Sequence, residues 1–175
     1  MLNQDFCVNI QLMPVRYESP QERFYTRYGG QLHARLMQEV AKDVDEHHRT
    51  SLDTRVLYAL TTVPRHKFAD GYSFSRTYRN TVLPLENYME LPSTASQPGL
   101  VAYMTHVVLP DINRDDAVAL DIGCGTGYST AFLRAAGFSH VTGVEVKPHL
   151  AKKAQRLLED DPGVTIIAGD GKTAT

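Results

Sequence analysis

Cysteine is nearly absent. The 175-residue chain has two, Cys7 and Cys124, far apart and outside any Cys-x-x-Cys pair or Cys/His cluster. A disulfide framework and a structural zinc site are therefore not expected as organising devices. No metal site is expected, and the expected setting is reducing and cytoplasmic. An excess of one charge is lacking too: 18 Lys+Arg against 20 Asp+Glu leave a formal net charge of −2. Nothing attracts polyanions globally and no local basic patch compensates, so nucleic acid is not an expected partner. No apolar run approaches the roughly 18 residues of a membrane span, so no membrane partner is expected. The first residues lack a basic segment followed by an apolar one, which argues against a secretory signal. The chain is 42% hydrophobic and 22% charged. That is a soluble globular balance, at a length suited to one domain or a domain with an N-terminal arm.

Three stretches differ in character. Residues 1–30 read as an N-terminal arm, packed on the body or disordered. An alternating run at residues 6–12 suits an edge strand, Pro14 and Pro20 break any regular element beyond it, and Tyr17, Phe24, Tyr25 and Tyr28 precede Gly29 and Gly30. Residues 31–110 read as a helical region with a long loop. Leu32, Leu36, Val40 and Val44 recur at every fourth position and give a helix one apolar face. Asp53 is placed to cap a second helix carrying Val56, Leu57 and Leu60 and ended by Pro64. Ser96-Gln97-Pro98 reads as a helix start, with the Ser96 hydroxyl as cap and proline in the first turn.

Residues 111–175 change again. An apolar run at 117–122 ends beside an acid and leads into Gly-Cys-Gly-Thr-Gly; a helix over 130–136 is closed by Gly137. Next come a strand over 140–146, a helix opened by Pro148 and a strand over Val164–Ala168. Strand–helix–strand–helix–strand at this spacing predicts an α/β fold with a parallel, Rossmann-like sheet.

The glycine loop carries the chemistry. Gly123, Gly125 and Gly127 alternate between a strand and a helix, so the backbone can turn sharply and approach a ligand. A dinucleotide site would read Gly-x-Gly-x-x-Gly. Here the third glycine comes one residue early, and Asp121 stands two before the first, where it would repel pyrophosphate and suit an amino group. Glu145, about twenty residues on at the next strand end, is placed for ribose hydroxyls. Asp170, between Gly169 and Gly171 after the third strand, is placed for an adenine amino group. A ligand with adenine, ribose and an amino-acid tail but no phosphate is S-adenosylmethionine.

Residues from about 53 to 171 resemble the protein-L-isoaspartate O-methyltransferases, class I S-adenosylmethionine-dependent enzymes. The resemblance rests on motifs in order: Val63-Pro64-Arg65-His66-Lys67-Phe68, then Tyr78 to Leu85, then Thr94-Ala95-Ser96-Gln97-Pro98, then the glycine loop, Val144-Glu145 and Gly169-Asp170-Gly171. It implies the N-terminal half of a class I methyltransferase sheet behind a helical, substrate-side region. It also implies S-adenosylmethionine as cofactor, held by Asp121, Gly123, Gly125, Gly127, Glu145, Asp170 and Gly171. Ser96, with Thr94 beside it, would receive the substrate carboxylate of a protein or peptide. Three features depart from the family pattern. Residues 86–96 lack the usual glycines and are longer, Asn80 replaces an aspartate, and some fifty residues precede Asp53. The first two changes fall where the family holds its substrate.

The implied reaction is methyl transfer to a carboxylate, with L-isoaspartyl residues the leading acceptor, as in protein repair. The alternatives are a relative that esterifies aspartate in a particular peptide and a non-catalytic fragment that binds an adenosine ligand. A carboxylate with a reference pKa near ~4 is ionised at neutral pH, so no general base is required. The family sheet continues past the third strand, which leaves strand 117–122 here as an apolar edge open to pairing. The expectation is either a fragment of a longer protein or an edge covered by residues 6–12 or by self-association.

Overall fold

The computed structural model describes residues 20–86, 93–109 and 116–173. The arm residues before Pro20, including the run at 6–12 and Cys7, lie outside them, as do residues 87–92 of the divergent stretch. The elements in order are α1 (Pro20–His48), α2 (Thr54–Thr62), α3 (Arg65–Phe68), α4 (Phe74–Thr77), β1 (Leu83–Pro84), β2 (Thr94–Ala95), α5 (Pro98–Val108), β3 (Val118–Ile122), α6 (Tyr128–Ala135), β4 (His140–Glu145), α7 (Pro148–Leu157) and β5 (Val164–Ala168).

The first helix starts earlier than its sequence suggests. Residues 20–30, read as arm, are the opening turns of α1, and the helix runs through Gly29 and Gly30. Each mid-helix glycine costs about 1 kcal/mol relative to alanine, and tertiary packing offsets it. Tyr25 lies on His66, ring centroids 4.3 Å apart, and Phe24 stacks on Phe74 at 5.3 Å. The Tyr25 hydroxyl bonds His33 Nε2 at 2.7 Å, and His33 Nδ1 meets the Leu60 carbonyl at 2.7 Å. Since a carbonyl only accepts, Nδ1 carries the proton and Tyr25 donates to Nε2. Further along, Leu36, Val40 and Val44 are buried with Val56, Ala59 and Leu60 of α2 and with Val101 and Ala102 of α5.

The caps are partly local and partly remote. Asp53 caps α2 as its position predicts: Oδ1 accepts the Arg55 N–H at 2.8 Å. Its carboxyl is held at about 2, first by the hydrogen bond from the Arg55 side chain. Ser96 does not cap α5. The N-cap is Gln97, whose side chain makes no capping bond, and Pro98 opens the first turn. The cap comes from nineteen residues upstream, where Asn80 Oδ1 accepts the Gly99 N–H at 2.7 Å.

β3, β4 and β5 form a parallel sheet in that order, with Asp121 opposite Gly143 and Glu145 opposite Ala168. One face packs on the helices, where Phe132 of α6 and Val141 are fully buried. On the other face Val118, Leu120 and Ile122 are 70%, 59% and 62% exposed. Among the described residues β3 pairs only with β4, so its outer edge is open. The strands all end on one side, which collects the glycine loop, Glu145 and the turn at Asp170. Ligands of parallel α/β sheets bind at such carboxyl ends.

Candidate active site

The turn after β3 is built from three glycines with positive φ: 82° at Gly123, 58° at Gly125 and 93° at Gly127. Gly123 and Cys124 donate their N–H groups to the Val144 carbonyl at 2.7 and 3.1 Å, locking the turn to the end of β4. Nothing lies within 4 Å of the place a Cβ on Gly123 would occupy. The loop therefore offers bare backbone to open space, as close ligand approach requires. At Gly127 the corresponding place is filled, 2.8 Å from Leu158 Cδ1, so this glycine lets the loop pack on the end of α7.

Two carboxylates flank the turn. Asp121 Oδ2 accepts the hydroxyls of Ser129 and Thr130 at 2.7 and 2.6 Å, tying β3 to the first turn of α6. Glu145 is 5% exposed. Its Oε2 accepts the Gly125 N–H and its Oε1 the Lys147 N–H, both at 2.8 Å. Two backbone donors thus satisfy the buried group and aim it. Burial, with Asp121 and Glu145 nearby, pushes the Cys124 thiol up to about 12, so it offers no thiolate nucleophile at neutral pH.

The opposite wall comes from the β1–β2 pair. Thr94 and Ser96 border a narrow cavity of about 30 Å³ together with Leu85, Gly123, Thr126 and Ser129. Ser96, Gly123 and Ser129 also border a wider cavity of about 550 Å³ between α5 and β3, which includes Asp121. The Ser96 carbonyl accepts from Arg65 at 3.1 Å. Its hydroxyl makes no hydrogen bond to a described residue. Ser96 and the bare glycine backbone thus border the same gap, an arrangement that can hold an anionic acceptor against a ligand on the loop. His66 supplies no base in this gap: its Nδ1 is bonded to the Tyr78 hydroxyl at 2.8 Å, and burial lowers its pKa to about 4.

A model of the family described as protein-L-isoaspartate(D-aspartate) O-methyltransferase matches residues 35–174. The chain belongs to that family. The protein-L-isoaspartate O-methyltransferase of Photorhabdus laumondii is 40% identical over 121 residues, 68% of this chain and 54% of its own length. That of Gloeobacter violaceus is 38% identical over 120 residues, 66% and 54% of the two chains. That of Pseudoalteromonas translucida is 36% identical over 149 residues, 84% and 62%. The chain thus spans about half the length of the first two of these curated relatives. A solved protein-L-isoaspartate O-methyltransferase superposes with a TM-score of 0.66 at 27% identity, over 79% of this chain and 42% of that one. The α/β, Rossmann-like fold of the class I methyltransferase type is shown by the same likeness.

Of the family positions picked out in the sequence, Thr94, Ser96, Asp121 and Gly123 gather at the two cavities. Gly125 and Glu145 are bonded to each other behind them. Asp170 and Gly171 are not among the residues that line either cavity. Asp170 is exposed and its Oδ1 accepts the Lys172 N–H at 3.0 Å, an ordinary turn contact. Asn80 caps α5.

Two contributors lie outside the site residues picked out in the sequence. Arg65 is fully buried and has no carboxylate partner among the described residues. Its guanidinium bonds the carbonyls of Thr77, Thr81 and Ser96 at 2.7, 2.8 and 3.1 Å and lies 5.7 Å from the Tyr128 ring centre. It ties the acceptor wall to the start of α6. The second contributor is Glu86, from the divergent stretch. It pairs with Lys147 and with His149, the latter at 2.7 Å.

Proposed function

We propose that the chain binds S-adenosylmethionine on the glycine loop and serves methyl transfer to a carboxylate of a protein or peptide, with L-isoaspartyl residues the leading acceptor. The observation that carries this reading is the place of Ser96, which borders both cavities with Gly123 and the wider one with Asp121. The residues fit the cofactor. Gly123 leaves room against the main chain, Asp121 has an oxygen left for an amino group, and Glu145 lies at the strand end where ribose hydroxyls bind. When bound, S-adenosylmethionine would supply a sulfonium methyl for in-line attack by a carboxylate oxygen, with the C–S bonding pair leaving on sulfur, so that methyl ester and thioether would form without a proton moving. Ser96 then has one task, to orient the carboxylate by donating a hydrogen bond.

Two measurements test it. Calorimetry with S-adenosylhomocysteine should give heat with the chain, and none at adequate concentration would end the cofactor reading. A base-labile methyl ester should form on an isoaspartyl peptide and not on its aspartyl twin. Ester on the aspartyl twin would favour the relative that modifies ordinary aspartate. Binding without ester on either would favour a non-catalytic, adenosine-ligand-binding chain.

We also infer a cytoplasmic setting, supported by the free, buried thiol of Cys124. The open β3 edge supports self-association, because its exposed backbone groups invite another strand. Sedimentation should then show concentration-dependent dimers that Leu120→Lys abolishes, and a monomer at all concentrations would refute this.

A further inference from the structure

The two donors that aim Glu145 are both backed by one dipeptide from the acceptor wall. Gly125, which donates to Oε2, has Leu85 against it: a Cβ there would stand 3.4 Å from Leu85 Cδ1. Lys147, which donates its N–H to Oε1, has its ammonium on Glu86 Oε2. Glu86 Oε1 takes His149 Nε2 at 2.7 Å, so both ends of the turn into α7 are pinned to the same carboxylate. Ser93 N–H reaches Glu86 Oε2 at 3.3 Å, and the Glu86 side chain is only 12% exposed. The Lys147 ammonium holds the Glu86 carboxyl down to about 2, so it is charged at any working pH.

Glu86 opens residues 86–96, the stretch whose sequence reads as a departure from the family pattern. We propose that Glu86 is a positioning residue for the nucleoside end of the cofactor site: by holding Lys147 and His149 it fixes the turn whose N–H orients Glu145. This deepens the cofactor reading above and rests on it. A carboxylate that binds vicinal hydroxyls gains most when its direction is set before the ligand arrives. Here that direction depends on a side chain from the opposite wall, so acceptor-side sequence tunes cofactor affinity without touching the cofactor.

The test is a titration of the 175-residue chain with S-adenosylhomocysteine and with adenosine, for wild type, Glu86→Gln, Glu145→Gln and the double variant. Circular dichroism checks that each is folded. Glu86→Gln should weaken both ligands alike, by on the order of tenfold, the loss of one charge-assisted contact. In the Glu145→Gln background the same change should have little further effect, because the two act in series. If wild type binds and Glu86→Gln binds both ligands within twofold of it, the proposal is wrong and Glu86 only joins the two walls. A loss confined to S-adenosylhomocysteine, with adenosine unaffected, also overturns it, since the route through Glu145 ends on the ribose. Additive losses in the double variant overturn it as well. Absence of wild-type binding to either ligand is a separate result that removes the cofactor reading itself.

Discussion

Asn80 Oδ1 accepts the N–H of Gly99 at 2.7 Å, and this contact caps the helix just beyond Ser96. Asn80, read from the sequence as a departure from the family pattern, thus has a structural role here. Asn80→Ala should cost about 1 kcal/mol, a lost cap, read as a lower urea midpoint at unchanged slope. Asn80→Asp should fall between alanine and wild type. It keeps the acceptor and adds a favourable charge at a helix N-terminus, but Asp43 Oδ2 already stands beside Gly99. An aspartate variant more stable than wild type would mean that the helix end outweighs the repulsion.

Arg65 should be the least replaceable polar side chain in the described structure. Its guanidinium is the donor for carbonyls of Thr77, Thr81 and Ser96, which lie up to 31 residues away along the chain. Arg65→Met should cost more than about 3 kcal/mol, since it leaves buried acceptors unpaired. Arg65→Lys should recover only part, because an ammonium cannot reproduce the planar fork. Thermal melts read both, and a methionine variant within about 1 kcal/mol of wild type would show the clamp to be dispensable.

Gly127→Ala and Gly123→Ala should separate packing from ligand approach. Both positions have positive φ, so both variants meet backbone strain on the order of 1 kcal/mol. Gly127→Ala also drives a methyl against Leu158, while Gly123→Ala projects it into open space. The expected pattern is a larger fall in melting temperature for Gly127→Ala and a larger loss of S-adenosylhomocysteine affinity for Gly123→Ala. The reverse pattern would relocate the ligand.

Stability should fall on mild acidification. Burial lowers the His66 pKa from 6.5 to about 4, so below pH 6.5 the unfolded chain takes up the proton first. The fold then loses stability as pH drops from about 6.5 to about 4, and above 6.5 His66 contributes no pH dependence. His33, also lowered by burial, acts in the same direction. Asp53 works at more acid pH: its contribution is complete above 3.8 and is lost as pH falls through about 2. His66→Asn keeps a polar partner for Tyr78 and removes the titration. Urea midpoints between about pH 7 and 4 should show a shallower slope for this variant, and an unchanged slope would assign the effect elsewhere.

The sequence by itself determined whatever depends on neighbours along the chain. The strands of the parallel sheet, the positive-φ glycines of the loop, the Asp53 cap two residues from its donor, and the strand-end place of Glu145 all arise from local conformational preference and fixed rise per residue. Tertiary structure alone decided what joins distant segments. Asn80 reaches across 19 residues to cap α5, Arg65 across 12 to 31 residues to hold the acceptor wall, and Glu86 across 61 residues to Lys147. It also decided that α1 runs through two glycines, because Tyr25 finds His33 and His66 to pack against. A hydrogen bond or ring contact between such residues leaves no periodicity in the chain; it exists only once the core has brought its two ends together.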